Sequence, residues 1–445
     1  MPRHVRTAPR RRAARAAGLL LLAAATAGVA GAASAGVGPF VGAADDDGRL
    51  AADPGPAVPS GAAESTTGPT TEATPDPTPT PRPDATFTIL AAGDVLTHES
   101  VNSAARVDGG YDFAPLFAPV QPFIAGADLA LCHMEVPVAP PGSSPSGFPM
   151  FGAPAELASA LATVGWDGCS TASNHSVDRG AAGVVATLDA FDAAGLGHAG
   201  TARAAEEAAT QVYTLYREGQ WIRVAHISAT YGTNGLPVPA DSPWMVQLID
   251  TAGIVAQANA AREAGADVVV ASVHCCVEYT SEPTARQEEI ADELAASGAI
   301  DLLIGHHAHV PQPVAEFPGG PRGEGMWAAY GLGNFVSNQG PHAGLPAETQ
   351  NGLMVLAHLR KPPDGPVTVD GVEWTAITVD RGAGHRVESL SAAAAAGTGT
   401  GTLSVAQVAE RRALVAEVAG PAAPELTTPP TPTGRKPVVT DRPGT

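Results

Sequence analysis

Short apolar runs bounded by glycine, asparagine or charged residues recur through the middle of the chain. They are FTILAAGD (87–94), DLALCHME (128–135), DGCSTASNH (167–175), WIRVAHIS (221–228), DVVVASVH (267–274), AIDLLIGHH (299–307), WAAYGLGNF (327–335) and LMVLAHL (353–359). Runs of this length predict strands covered on both faces. Between the earlier runs, apolar positions recur at helical spacing over 154–164, 180–194, 251–264 and 283–297. Alternation of strand and helix predicts a largely parallel sheet with right-handed crossovers. From 312 onward strand follows strand, which predicts a second, more antiparallel sheet packed on the first.

The ends of the chain follow other patterns. Six arginines by Arg15, an apolar segment from Ala16 to about Ala30 and the triplet Ala33-Ser34-Ala35 have the layout of a cleaved signal peptide over 1–35. The apolar segment is shorter than the roughly 20 residues of a spanning helix, and an uncleaved anchor is the alternative. Residues 36–84 include TTGPTTEATPDPTPTPRPD, too poor in apolar groups to offset chain entropy, and predict a disordered Thr/Pro-rich linker. Residues 386–445 predict a low-complexity tail with one short helix, from Leu403 to Ala419. That leaves 85–385 as the globular domain.

Charge narrows the function. Residues 86–385 carry 32 Asp and Glu against 11 Lys and Arg, a net charge of −21, while the whole chain stands at −20. A domain this acidic repels nucleic acid and acidic lipid surfaces. An anionic substrate then requires positive charge concentrated locally, which bound divalent metal supplies.

Metal-competent side chains sit where the predicted strands end: Asp94, Glu135, Asn174 with His175, His274, and His307 with His309. In an open α/β sheet these carboxyl ends face one crevice, where ligands bind. Taken singly, Asp94 reads as a turn residue or helix cap, Glu135 as a rim carboxylate and Asn174-His175 as a helix start. A lone His274 reads as a hydrogen-bonded core histidine. Taken together, these residues project from segments spread over more than 200 residues toward one place. Imidazole, carboxylate and amide ligands suit Mn, Fe or Zn, and a carboxylate bridges two ions about 3.5–4 Å apart. His175 is left as a non-ligand acid or charge stabiliser, with Asp178 placed to orient its ring.

The order GD, E, NHxxD, H, GxHxH resembles the calcineurin-like metallophosphoesterase superfamily. It is more closely similar to the bacterial capsule-synthesis CapA family, associated with poly-γ-glutamate capsules. AAGDV (91–95), MEVP (134–137), ASNHSVDRG (172–180), VHCCVEY (273–279), IGHHAHVPQP (304–313) and YGLGNFV (330–336) carry the likeness. The resemblance implies a four-layer α-β-β-α sandwich with mixed sheets. It also implies two divalent metal ions held by Asp94, Glu135, Asn174, His274, His307 and His309, with His175 as the catalytic histidine. Three departures stand out. No His follows Asp94 by two residues, and His98 is the nearest imidazole. His133-Met134-Glu135 replaces Asn-x-Glu, which offers a substitute nitrogen ligand. HCCVEY replaces His-Trp-Gly.

What the resemblance implies is an exported, hydrolase-like protein. Its substrate would be poly-γ-glutamate, another anionic cell-surface polymer or a phosphoester, and its partner a membrane complex for capsule synthesis or export. The alternative is a non-catalytic, metal-bearing scaffold that binds or guides the polymer. Retention of His175 beside a nearly full ligand set favours chemistry. A lectin-like reading is disfavoured by the scarcity of stacking residues, five Trp and six Tyr. The four cysteines allow one bridge, for which Cys132 and Cys169, on strands expected to be neighbours, are the candidates; adjacent Cys275 and Cys276 are not expected to pair.

Overall fold

The computed structural model describes residues 82–442. The segment 1–35 expected to be a signal peptide, and the expected linker through residue 81, lie outside the described residues. In chain order, β1 (Ala85–Val95) and α1 (Glu99–Ala104) lead into a small hairpin, β2 (Arg106–Val107) and β3 (Gly110–Tyr111). There follow α2 (Ala114–Phe117), α3 (Gln121–Gly126), β4 (Leu129–Met134), α4 (Glu156–Val164), β5 (Gly168–Ser170), α5 (Gly180–Ala194) and β6 (Gly197–Ala199). The hairpin β7 (Gln211–Arg217) and β8 (Gln220–Thr230) precedes α6 (Thr251–Glu263), β9 (Val268–His274), α7 (Ala285–Ser297) and β10 (Leu302–His306). The remainder is β11 (Val314–Phe317), β12 (Met326–Ala329), β13 (Asn334–Val336), β14 (Asn351–Lys361), β15 (Thr368–Asp380), β16 (Arg386–Ser389), α8 (Leu390–Ala395), α9 (Val405–Ala419) and β17 (Val438–Thr440).

Two large sheets result. One runs β16-β15-β14-β1-β4-β5-β6 with β13 beside β1; the other runs β11-β12-β10-β9-β8-β7-β17. Strand periodicity divides the core into layers, because successive side chains point to opposite faces. Phe87, Ile89 and Ala91 of β1 meet Val268 and Val270 of β9 and Leu302 and Ile304 of β10 between the sheets. Leu90 and Ala92 point the other way, onto Leu157 and Leu161 of α4 and Phe191 of α5. On the far side, Val269, Ala271 and Leu303 pack on Ile254 of α6 and on Ile290 and Leu294 of α7. Helix, sheet, sheet, helix is the layer order, and it is the four-layer α/β sandwich expected.

The helices end where the sequence permits. Gly165 (φ +109°) and Gly195 (φ +72°) stop α4 and α5 in the left-handed conformation that glycine adopts without a Cβ penalty. Thr284 and Gln287 cap the start of α7 reciprocally.

Two expectations are corrected. The late strands do not form a sheet of their own: β14 to β16 extend the β1 sheet antiparallel, while β11 and β12 extend the β10 sheet. Both sheets are therefore mixed, and the early strands divide between them. Residues 386–440 are also not a tail with one short helix. α9 falls where a helix was expected, but β16, α8 and β17 accompany it, and Leu390, Val408, Val415 and Ala419 join the inter-sheet core. Trp374 Nε1 donates to the Ala423 carbonyl at 3.0 Å, and β17 pairs with β7. Small alanines fill the space beside a large aromatic, so a segment of low complexity still docks. Cys132 and Cys169 sit opposite each other on β4 and β5 and are bonded, as expected; against expectation, adjacent Cys275 and Cys276 are bonded as well.

Candidate metal centre

The carboxyl ends of β1, β4, β9 and β10 converge. β1 slips register just before Asp94, which then lies opposite His133 of β4 and Asn334 of β13. Gly93 permits this approach, since an added Cβ would land on the Gly333 carbonyl. Gly305 plays the same part ahead of His306, against the Tyr330 carbonyl. Beyond β10 the chain turns through His307 (φ +86°) and His309 (φ +56°), a conformation costly for residues with a Cβ and found mostly where function requires it.

Two groups of ligand-competent atoms form, each within 4.8 Å: Asp94, His133 and His274, and Glu135, His307 and His309. All six residues are buried. Asn174 joins the first group through its Oδ1, 2.8 Å from His274 Nε2. His309 links the groups, with Nδ1 at 3.0 Å from Asp94 Oδ2 and Nε2 at 3.6 Å from Glu135 Oε1. His175 stands beside them, its Nδ1 2.7 Å from Asp178 Oδ2. Ser173 couples this pair to the cluster, because its hydroxyl donates to the Glu135 carbonyl (2.5 Å) and accepts from the His175 N–H (3.0 Å). Asp178 Oδ2 also accepts the Phe151 N–H at 2.8 Å, and the Phe151 ring meets His175 edge-on at 4.8 Å.

Of the residues expected from the sequence, Asp94, Glu135, Asn174, His274, His307 and His309 come together, with His175 and Asp178 next to them. His98 does not join them. Its Nδ1 faces the Leu96 carbonyl (3.2 Å) and accepts the Asn338 N–H (3.3 Å). The imidazole missing after Asp94 is supplied instead by His133, set by Ser170 Oγ at 2.7 Å from Nδ1 and by His274 at 2.9 Å from Nε2.

Four residues had no assigned role. His306 stacks on His133 with ring centres 3.9 Å apart, Asn334 Oδ1 lies 3.1 Å from His309 Nδ1, Glu278 Oε1 lies 4.0 Å from His309 Nε2, and the Tyr231 ring covers His307 at 4.7 Å. Three of these fall inside motifs quoted above, where a polar residue at a strand end was the available signal. Tyr231, one residue past β8, had none.

Burial pushes the imidazoles of His133 and His274 well below their ordinary value and that of His307 down to about 3. These are neutral nitrogens, the form that binds metal. Burial acts the same way on His309, but Glu135 and Asp94 outweigh it and hold that ring up to about 9. Burial raises the Glu135 carboxyl well above the usual carboxylate range. Asp94 is also raised by burial, yet His306 and His309 more than reverse this and hold it well below.

The test of fit for cations is hydrogen-bond accounting. Asp94 Oδ1 and both oxygens of Glu135 are buried with no hydrogen-bond partner among the described residues. Such oxygens carry a desolvation cost that only a positive group offsets. With five imidazoles and an amide around them, the donor set suits divalent ions that accept both nitrogen and oxygen. The residues fit.

Comparison with known proteins shows the family. The family model described as "Bacterial capsule synthesis protein PGA_cap" matches residues 88–339. The capsule biosynthesis protein CapA of Bacillus anthracis is 29% identical over 208 residues, 46% of this chain and 47% of that protein. The PGA biosynthesis protein CapA of Bacillus subtilis (strain 168) is 27% identical over 214 residues, 46% of this chain and 50% of that protein. The chain thus spans about half the length of the curated relatives it matches. Among solved structures, the calcineurin-like phosphoesterase YfkN from Bacillus subtilis aligns with 66% of this chain and 91% of its own, at 16% identity and a TM-score of 0.38. The NAD nucleotidase of Haemophilus influenzae aligns with 67% and 59%, at 12% identity and a TM-score of 0.39. The fold itself rests on the four layers described above.

Proposed function

Because this chain belongs to the bacterial capsule synthesis protein family, we propose that it is an exported, metal-dependent hydrolase acting on an anionic cell-surface polymer of the poly-γ-glutamate kind or on a phosphoester. One observation carries the reading. Buried carboxylate oxygens of Asp94 and Glu135 without donors stand beside a histidine already oriented by a carboxylate. Asp94, His133, His274 and Asn174 would hold one divalent ion and Glu135, His307 and His309 a second. When bound, such ions lower the pKa of water and neutralise charge on a phosphoryl or carbonyl oxygen.

The chain's own residues supply the rest. A carboxylate only accepts, so Asp178 fixes the proton on His175 Nδ1 and leaves Nε2 to exchange a proton with a leaving group. Phe151, pinned by its N–H to Asp178, walls one side of that ring and excludes water from it. Tyr231 walls His307 in the same way.

Metal analysis of the full chain, followed by phosphodiester and polyglutamate assays with Mn or Zn, tests the reading. The expected result is about two ions per chain, hydrolysis of at least one substrate class, and its loss in His175→Ala with metal retained. Metal binding with no hydrolysis would replace it with the scaffold reading. No metal above background would remove both.

A further inference from the structure

A second polar cluster adjoins the centre without belonging to it. After β13 the chain runs through Ser337 to Gly340, and this loop is bolted to the centre's floor. Asn334 Nδ2 donates to Gln339 Oε1 at 2.9 Å, while Asn334 Oδ1 faces His309. Between them Asn338 turns outward. Its Oδ1 accepts from Arg381 Nε at 3.1 Å and lies 2.8 Å from His385 Nε2. Its backbone N–H donates to His98, whose ring meets Phe151 edge-on at 5.3 Å, the same Phe151 that walls His175. The cluster is therefore two side chains, His98 and Phe151, removed from the proposed proton donor.

Its donors are uncommitted. Arg381 is exposed and makes no ion pair among the described residues, and its two terminal nitrogens meet no partner there. Its neighbour Asp380 makes no ion pair with it among the described residues; that carboxylate turns instead to Thr402 and to the Ala383 N–H. Asn338 Nδ2 is likewise without an acceptor among the described residues. A guanidinium held by its Nε presents a fork of donors with fixed orientation, the geometry that takes a carboxylate or phosphate with two bonds. In a domain of net charge −21, a cationic fork beside a candidate hydrolytic centre selects for a substrate with more than one negative group.

We propose that Arg381, oriented by Asn338 and backed by His385, is a subsite for the oxyanion that flanks the reacting bond of the substrate. This rests on the hydrolase reading and adds to it the residue that holds a second anionic group of the substrate. The substrate carries repeated anionic groups, one at the metal centre and the next at Arg381. Such a subsite binds and positions, leaving the chemistry to the centre.

Binding of γ-linked hexaglutamate and of inorganic tripolyphosphate to the full chain, without added metal, is measured by calorimetry for wild type, Arg381→Gln, Arg381→Lys and Arg360→Gln. Arg360 lies opposite Thr86, at the far end of the sheet, and serves as control. Arg381→Gln should weaken at least one probe by about tenfold, equivalent to about 1.4 kcal/mol. Lysine should recover only part of this, and Arg360→Gln should change neither. A loss confined to hexaglutamate assigns a polymer carboxylate, and a loss confined to tripolyphosphate assigns a phosphate. Unchanged affinity in Arg381→Gln, an equal loss in the control, or no binding of either probe by wild type overturns the subsite.

Hydrolysis of bis(p-nitrophenyl) phosphate, which has no flanking charge, separates this proposal from the one it rests on. If wild type hydrolyses the probe but anion binding ignores Arg381, the subsite fails alone. If binding depends on Arg381 and nothing is hydrolysed, the hydrolase reading fails alone.

Discussion

The two ends of the parallel strands treat buried charge in opposite ways. At their starts, β4, β5, β9 and β10 are each preceded by an aspartate, and each aspartate is paired twice over. Asp128 accepts the Thr88 N–H at 2.9 Å and Arg217 at 2.7 Å, and Asp167 accepts the Ala130 N–H at 2.8 Å and Lys436 at 3.0 Å. Asp267 accepts the Arg223 N–H (2.8 Å) and Lys361 (2.6 Å); Asp301 accepts the Val269 N–H and Arg262, both at 2.6 Å. Every one of these carboxylates ties a neighbouring strand in register and is neutralised by a cation of the chain itself. At the other end, Asp94 and Glu135 are as deeply buried, but among the described residues no arginine or lysine pairs with them and three of their four oxygens have no hydrogen-bond partner. Burial alone therefore does not mark function. Buried oxygens left with neither a hydrogen bond nor an arginine or lysine do.

Substitutions at the two ends should separate these kinds of carboxylate. The largest effect is expected for Glu135→Gln, which keeps shape and removes the charge between the two ligand groups. Activity should fall at least about 10³-fold, some 4 kcal/mol of barrier, with at most one ion bound per chain. In chelator its melting temperature should be unchanged or higher, because an unpaired buried charge has gone. Metal analysis and calorimetry check both halves, and undiminished two-ion occupancy would show that Glu135 does not lie between the ions. Asp128→Ala should do the reverse. Leaving Arg217 buried without its partner should cost about 3–5 kcal/mol in denaturant unfolding, with metal content and kcat unchanged in the folded fraction.

Smaller effects sharpen the contrast. Replacing Cys132 and Cys169 by alanine removes a link across β4 and β5, and urea unfolding should show a loss of about 2–4 kcal/mol. His133 and Ser170 are the next residues along these strands, so metal affinity measured in the folded variant should weaken as well. The smallest effect is pH-dependent. Burial outweighs Lys436 and raises Asp167 from its ordinary value to about 6. A raised carboxyl pKa favours the protonated form in the folded state. Its stabilising effect is complete below about pH 3.9, the unfolded value, and is lost as pH rises through 6. The wild-type minus Asp167→Asn stability difference should therefore decline across pH 4 to 6, by on the order of 2 kcal/mol, and a flat difference curve would contradict it.

Most strand positions and nearly all of the centre were legible because both are written as local pattern. A buried parallel strand is a continuous apolar run, and the polar residue that ends it is conspicuous. What could not be read was partnership. The run DVVVASVH says that both faces are covered, not that β9 lies in a different sheet from β4. QVYTLYR alternates instead of running continuously, so β7 passed unmarked. The tail misled through composition: alanine and glycine look like linker until Trp374 gives them a surface to cover. His133 read as a substitute ligand beside Glu135, but its place depends on β4 lying next to β1, which fixes it opposite Asp94.

Gly93 and Gly305 carry a lesson for anyone altering this protein. Neither has a side chain to offer a substrate, and an activity-guided survey of contacts would pass over both. Yet each sits where two main chains come so close that one extra carbon collides with a carbonyl. Diversity aimed at new specificity belongs on the outward loops around Asn338 and Arg381, where side chains reach solvent. A library that randomises 93 or 305 along with them would spend most of its members on proteins whose floor cannot close.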